Sequence, residues 1–386
     1  MRIVLTADRL IGSGGAIDQP VLVIEDGLIA SISSRAESEL PSGAQPLHYP
    51  GATLAPSYLD VHIHGSAGRD VMEATPDALN TVSRFLAAHG TARYLATTVT
   101  APVDDTLRAL SGIARHIAAQ PAGGQARILG IHFEGPFISP HRRGVHPPEH
   151  IQLPGIALFD RMFDAAEGHA RLMTIAPEQP GALELARHAI SRGVRISIGH
   201  SNATVAEARA GLAAGAVSAT HTFNAMRPFD HREPGIIGVT LTTDTLFAEL
   251  ICDGVHTAPE SVRMWWRCKG PQRAILITDA MAAAGMPDGI YRLGSMDVQV
   301  KDGKASAGDA LAGSLLTLNR GVSNLIAFTG APLEHALRAA SINPASMLGL
   351  EGDPDPLAPG QPANLVAVDP AGKLIASIVR GAVVAN

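Results

Sequence analysis

Apolar residues along this chain fall into short β-like runs, separated in the middle by stretches of helical period. Residues 1–50 predict short strands and turns: "RIVLTADRLI", "PVLVIEDGLIASISS" and "QPLHYPG" carry β-branched residues punctuated by Gly, Asp and Pro. From residue 53 the pattern changes to apolar strands alternating with Ala- and Arg-rich helical stretches such as "TPDALNTVSRFLAAHG" and "TVAEARAGLAAGA". The strand candidates are "TLAPSYLDVHIH", "ARYLATTVT", "ARILGIHFEG", "LMTIAPE", "VRISIGH", "AVSATHTFNAM", "LFAELICDGVH" and "RAILITDAM". Eight strands alternating with helices predict an α/β chain with a (β/α)8 TIM-like barrel. The tail returns to β character in "ANLVAVD" and "LIASIVRGAVVAN". Residues 1–52 plus 352–386 are therefore expected to form a small β-sandwich domain beside a barrel spanning 53–351. An open doubly wound sheet is the alternative, but no Gly-rich dinucleotide turn follows the first strand.

Composition narrows the function classes. The chain has 386 residues, 46% hydrophobic and 17% charged, an ordinary globular balance. Its formal net charge of −6 comes without a basic stripe, so nucleic acid and anionic membrane are not expected partners. Cys252 and Cys268 make no disulfide framework. The start lacks an apolar signal core, and no run approaches about 18 apolar residues, so a cytoplasmic location is expected. Sixteen histidines against only 4% aromatics hint at a site and argue against a base-stacking surface.

The polar residues closing the strand candidates carry the chemistry: His64, Glu134, His200, His221, His256 and Asp279. A barrel gathers such C-terminal ends around one mouth. His62 and His64 share a strand face by period two, which alone fits a hydrogen-bonded core pair as well as ligands. Glu134, between an apolar strand and Gly-Pro, is costly to bury unless paired or metal-bound. Four histidines and a glutamate at one mouth are N/O ligands for a divalent ion, zinc first, with iron, manganese, cobalt or nickel as alternatives. Asp279 fits either a proton acceptor beside such an ion or one more ligand. The Arg/His-rich loops "HRRGVHPPEH" and "FDHREPGIIG" suit an anionic substrate, phosphate in particular.

The stretches "HIHG", "HFEGPFISP", "RRGVH", "GHSNAT", "THTFNAMRPFDHREPGIIG", "DGVH", "ITDAMAAAG", "LAGSLLTLNRGVSNLI" and "INPASMLGL" together resemble the N-acetylglucosamine-6-phosphate deacetylases of the amidohydrolase superfamily. The resemblance implies the same barrel with a small terminal β domain, and hydrolysis of the acetamide of N-acetyl-D-glucosamine 6-phosphate in amino-sugar metabolism. It implies a principal metal on Glu134, His200 and His221, and a second on His62 and His64 with Glu134 bridging. Asp279 would be the general base and then the general acid, and His146 would stand near the substrate carbonyl. Asn224, Ala225, Leu311 and Gly313 would contact substrate. Arg232 and His256 would bind its phosphate, reaching across a homodimer interface. Arg143, where a lysine often precedes Gly-x-His, and "DGVHTAP" depart from the commonest pattern at the sugar or phosphate end. A deacetylase of another N-acylated sugar phosphate, such as N-acetylgalactosamine 6-phosphate, is the nearest alternative. A cyclic-amide hydrolase with a carbamylated lysine at the end of strand four is excluded: the first lysine is Lys269. A non-catalytic barrel would have shed ligands or base, and this chain keeps both.

Overall fold

The computed structural model describes residues 2–12, 14–36, 43–121, 123–350 and 356–384. Its centre is a ring of parallel strands: Tyr58–Ile63, Thr91–Thr98, Arg127–Glu134, Ala170–Ile175, Arg195–Ile198, Ser218–Ala219, Phe247–Ile251 and Ala274–Ile277. Each pairs with the next in chain order, and the ring closes from last to first through the Ile63–Ala280 bridge and the Asp279 N–H to His62 carbonyl bond of 2.8 Å. This is the expected (β/α)8 barrel. Helices occupy the connections because their apolar faces need cover. In Pro76–Ala88, Leu79, Val82 and Leu86 are buried, Thr75 caps the first turn by accepting from Ala78 N–H, and Pro76 opens it.

The chain termini build a second sheet. In spatial order it runs Ala382–Val384, Leu374–Val379, Leu365–Val368, Gln45–Pro56, Arg2–Gly12, Pro20–Glu25 and Leu28–Ser34, with Gly15–Asp18 paired to Arg2–Gly12. Leu5, Leu22, Ile24, Leu54, Leu365 and Ile378 form its core. The N- and C-terminal segments meet where Leu365–Val368 lies antiparallel to Thr53–Pro56. The predicted single run 53–64 is therefore divided: its first four residues finish a strand of the terminal sheet, and Ser57 separates them from the first barrel strand. Proline and the change of partner end one pairing and begin the other. The predicted boundary at residue 352 lies outside the described residues.

Other differences bear on the site. The sixth barrel strand is only Ser218–Ala219, because the chain turns at His221, Phe223 and Ala225, all with positive φ. The seventh ends at Ile251, so His256 sits in the loop beyond it rather than at the strand end. A four-stranded antiparallel sheet over Gly289–Leu293, Met296–Lys301, Lys304–Ala307 and Ala310–Leu311 follows the last barrel strand and was not foreseen. Its buried Leu293, Val298, Val300 and Ala305 pack on Met281 and Ala282, which puts its edge over the barrel mouth. No helix among the described residues is long and apolar enough to cross a membrane.

Candidate active site

At the C-terminal mouth, His62 lies in the first strand and His64 directly after it, Glu134 ends the third, and His200, His221 and Asp279 follow the fifth, sixth and eighth. His200, His221 and Asp279 adopt positive φ (45°, 28° and 50°), which non-glycine residues rarely do. That turn at each strand exit is backbone strain of the kind held at functional sites. Gly135, with φ of 82°, follows Glu134, and a Cβ there would run into Thr100 Oγ1. The same hydroxyl lies 2.8 Å from His146 Nδ1. Gly135→Ala should thus cost roughly 2–5 kcal/mol through left-handed strain and overpacking. A denaturant titration of the variant checks this, and a wild-type midpoint would contradict it.

Glu134 is the hub. Its Oε1 lies 3.2 Å from His62 Nε2, 3.1 Å from His200 Nε2 and 3.1 Å from His221 Nε2. Its Oε2 lies 3.1 Å from His64 Nε2 and 3.6 Å from His146 Nε2. Asp279 Oδ1 completes the cluster at 3.1 Å from His64 Nε2 and 3.6 Å from His62 Nε2. Two sets of potential ligand atoms result, His62–His64–Asp279 and Glu134–His200–His221, all buried.

Hydrogen bonds on the far ring nitrogens test whether these sets fit a metal. His200 Nδ1 donates to the Arg142 carbonyl at 2.9 Å, and His64 Nδ1 to the Thr97 carbonyl at 3.0 Å. With the proton on Nδ1, the neutral form of each ring turns an Nε2 lone pair toward the carboxylates. The Nε2 atoms of His200 and His221 stand 3.0 Å apart, and His200, with its proton on Nδ1, has none on Nε2 to share when neutral. Lone pairs converging with carboxylate oxygens are a divalent-ion donor set, so the residues fit a metal.

Burial works against charge throughout the cluster, and the opposed charges overcome it. Glu134 is held well below the usual carboxylate range by the surrounding rings, and Asp279 is lowered by His62 and His64. The Asp279 and Glu134 carboxylates raise His62 well above its ordinary value and His64 from 6.5 to about 9. His146, by contrast, is lowered by burial. In the metal-free protein His64 therefore stays protonated below about pH 9 and must lose that proton to become a ligand. Metal uptake at pH 7 should release protons and weaken as pH falls through that window. Calorimetry in buffers of different ionisation enthalpy measures the release; a buffer-independent heat would refute it.

Above the cluster is a cavity of about 270 Å³. Asn224, Ala225, His256, Leu311 and Gly313 line it together with His64, Glu134, His146, His200, His221 and Asp279. Arg232 does not: it is exposed on the loop after the sixth strand, outside the cavity lining, and its backbone N–H bonds Asp230. Sequence order alone did not reveal that separation from the cavity.

Supporting residues were missed. Glu249, fully buried inside the seventh strand, places Oε2 3.4 Å from His62 Nδ1. Asp60 accepts from His62 N–H and from Thr278 beneath the cluster. Glu178 accepts from Ser201 Oγ at 2.7 Å and Asn202 N–H at 2.6 Å, steadying the loop that carries His200. A charge within the apolar run "LFAELI" was a legible signal for Glu249; nothing local marked the partners of the others.

Comparison with known proteins agrees with this geometry. The model of the amidohydrolase family matches residues 53–384. The chain is 40% identical over 367 residues to N-acetylgalactosamine-6-phosphate deacetylase of Escherichia coli O157:H7, covering 95% of each. It is 38% identical over 368 residues to N-acetylglucosamine-6-phosphate deacetylase of Vibrio furnissii, covering 95% of this chain and 91% of that one. Among solved structures, mutant N-acetyl-D-glucosamine-6-phosphate deacetylase from Mycobacterium smegmatis, in complex with N-acetyl-D-glucosamine-6-phosphate, superposes with a TM-score of 0.92 at 38% identity, covering 100% of both chains. With a barrel-mouth donor set and a family match spanning most of its length, this chain belongs to the amidohydrolase family.

Proposed function

We propose that this chain hydrolyses the acetamide of N-acetyl-D-glucosamine 6-phosphate to D-glucosamine 6-phosphate and acetate. The observation that carries this reading is two ligand sets at one cavity, with Asp279 in one set and beside the other, in a chain similar throughout to deacetylases of that substrate. Glu134, His200 and His221 would hold the principal metal, with zinc our first assignment, and His62 and His64 a second. Such an ion supplies a water acidic enough to ionise near neutral pH and polarises the acyl carbonyl.

The chain's own groups supply the rest. Asp279, kept ionised by its imidazole neighbours, takes a proton from the attacking water at Oδ1. Thr100 N–H points at His146 Nδ1 at 3.2 Å, leaving the His146 proton on Nε2. That Nε2–H faces the cluster and donates to the acyl oxygen as negative charge develops there. The water oxygen joins the acyl carbon; collapse then breaks the C–N bond as the proton passes from Asp279 to the leaving amine, and the acetic acid formed ionises to acetate. Asn224, Ala225, Leu311 and Gly313 would seat the sugar. Arg232 and His256 would take the phosphate, Arg232 from the partner subunit of a cytoplasmic homodimer, since it lies off its own cavity.

The 40% identical relative named for N-acetylgalactosamine 6-phosphate supports a second reading, activity on the 4-epimer. One assay addresses both: acetate release from each phosphorylated sugar by metal-loaded protein. Faster release from the gluco substrate is expected. Folded, metal-loaded protein that releases no acetate from either would reject the deacetylase reading.

A further inference from the structure

His256 lines the same cavity as Asp279, yet its ring is held from behind. Asp253 Oδ2 lies 2.7 Å from His256 Nδ1, while Oδ1 accepts from the backbone N–H groups of Val255 and His256, both at 2.8 Å. Both side chains are largely withdrawn from solvent, at 7% and 13% exposure for His256 and Asp253. The base of this turn is fixed as well, since Asn324 Nδ2 donates to the Cys252 carbonyl at 2.8 Å.

The geometry has a chemical consequence. An ionised carboxylate only accepts hydrogen bonds, so Nδ1 must carry a proton and Nε2 is the nitrogen left for a ligand. A neutral ring of that tautomer offers Nε2 as an acceptor, which suits a hydroxyl and repels an anion. A ring that carries a proton on both nitrogens offers Nε2–H to an anion, and the Asp253 carboxylate, 2.7 Å from Nδ1, faces that ring from behind. Burial works against the Asp253 charge, but the His256 ring and the two backbone donors hold its carboxyl below the usual range.

We propose that Asp253 is a positioning residue for substrate anions: it locks His256 with Nδ1–H toward the protein and makes Nε2–H a phosphate contact. This rests on the reading of His256 given above, and it assigns Asp253 the work of distinguishing a phosphorylated sugar from a bare one.

The test compares kcat/KM on N-acetylglucosamine 6-phosphate and on unphosphorylated N-acetylglucosamine in metal-loaded wild type, D253N, H256A and the double variant. Asn preserves the volume and one acceptor while removing the charge. D253N should lower the phosphorylated-to-bare preference about tenfold, the scale of one charge-assisted contact, through KM rather than kcat. The double variant should be no worse than H256A, because the two side chains act as one unit. If D253N is unstable, D253S keeps an acceptor for the backbone turn and drops the ring contact, so the same ratio can be read. An unchanged preference in D253N alongside a reduced one in H256A overturns the proposal and leaves the His256 reading standing. An unchanged preference in H256A overturns both. Absence of acetate release by wild type rejects the deacetylase reading itself.

Discussion

Asp279→Asn should leave a folded, metal-binding protein whose turnover falls by about 10²–10⁴-fold, the usual cost of removing a general acid–base group. The size follows from the double use proposed for this carboxylate: one group would take the proton of the attacking water and return it to the leaving amine. Its neighbours are arranged for that work. His62 and His64 hold Asp279 below the ordinary carboxylate range despite burial, so it stays a base across neutral pH. Asn cannot accept the proton, and its amide would face the His64 nitrogen 3.1 Å away. The Glu134–His200–His221 set does not include Asp279, so metal at that set should persist. Single-turnover acetate release and metal analysis on the same preparation read both parts. Wild-type turnover would remove Asp279 from the mechanism.

Glu134→Gln should behave differently, losing metal and activity together. Glu134 touches both ligand sets, with Oε1 against His62, His200 and His221 and Oε2 against His64. A glutamine is the same size but uncharged, and whichever way it turns its NH2 group replaces one of the two carboxylate oxygens that face the histidines. Several kcal/mol of carbonyl polarisation and water activation go with the metal, so turnover should drop on the order of 10³-fold or more. Metal content after exhaustive dialysis is the direct readout. A variant that keeps its full metal complement would show that the histidines alone suffice and that Glu134 is not the hub.

Much of this site was legible because its signals are local. Period two places His62 and His64 on one face. Counting apolar runs between helical stretches predicts the barrel, and the barrel rule then carries Glu134, His200, His221 and Asp279 to one mouth. The small terminal domain was legible from β-branched runs at both ends. The covering sheet over Gly289–Leu311 escaped notice although Leu293, Val298, Val300 and Ala305 lie in short runs broken by Gly303 and Gly308. Its strands are brief, and polar residues between the buried positions masked them.

The division between the two kinds of information has a physical origin. Residue type and spacing are properties of the chain, and they determined the barrel, the candidate donor set and the carboxylate proposed as base. Tertiary structure alone decided which nitrogen of each ring faces the cluster, since that depends on distant carbonyls such as Thr97 and Arg142. It also decided that His256 is backed by Asp253, that Glu249 sits behind His62, and that Arg232 lies outside the lining of its own cavity. Such relations arise when barrel closure brings strand ends together, and here the third and sixth strands place Glu134 and His221, 87 residues apart, at 3.1 Å. Local propensity cannot encode an orientation that exists only once the ring has closed.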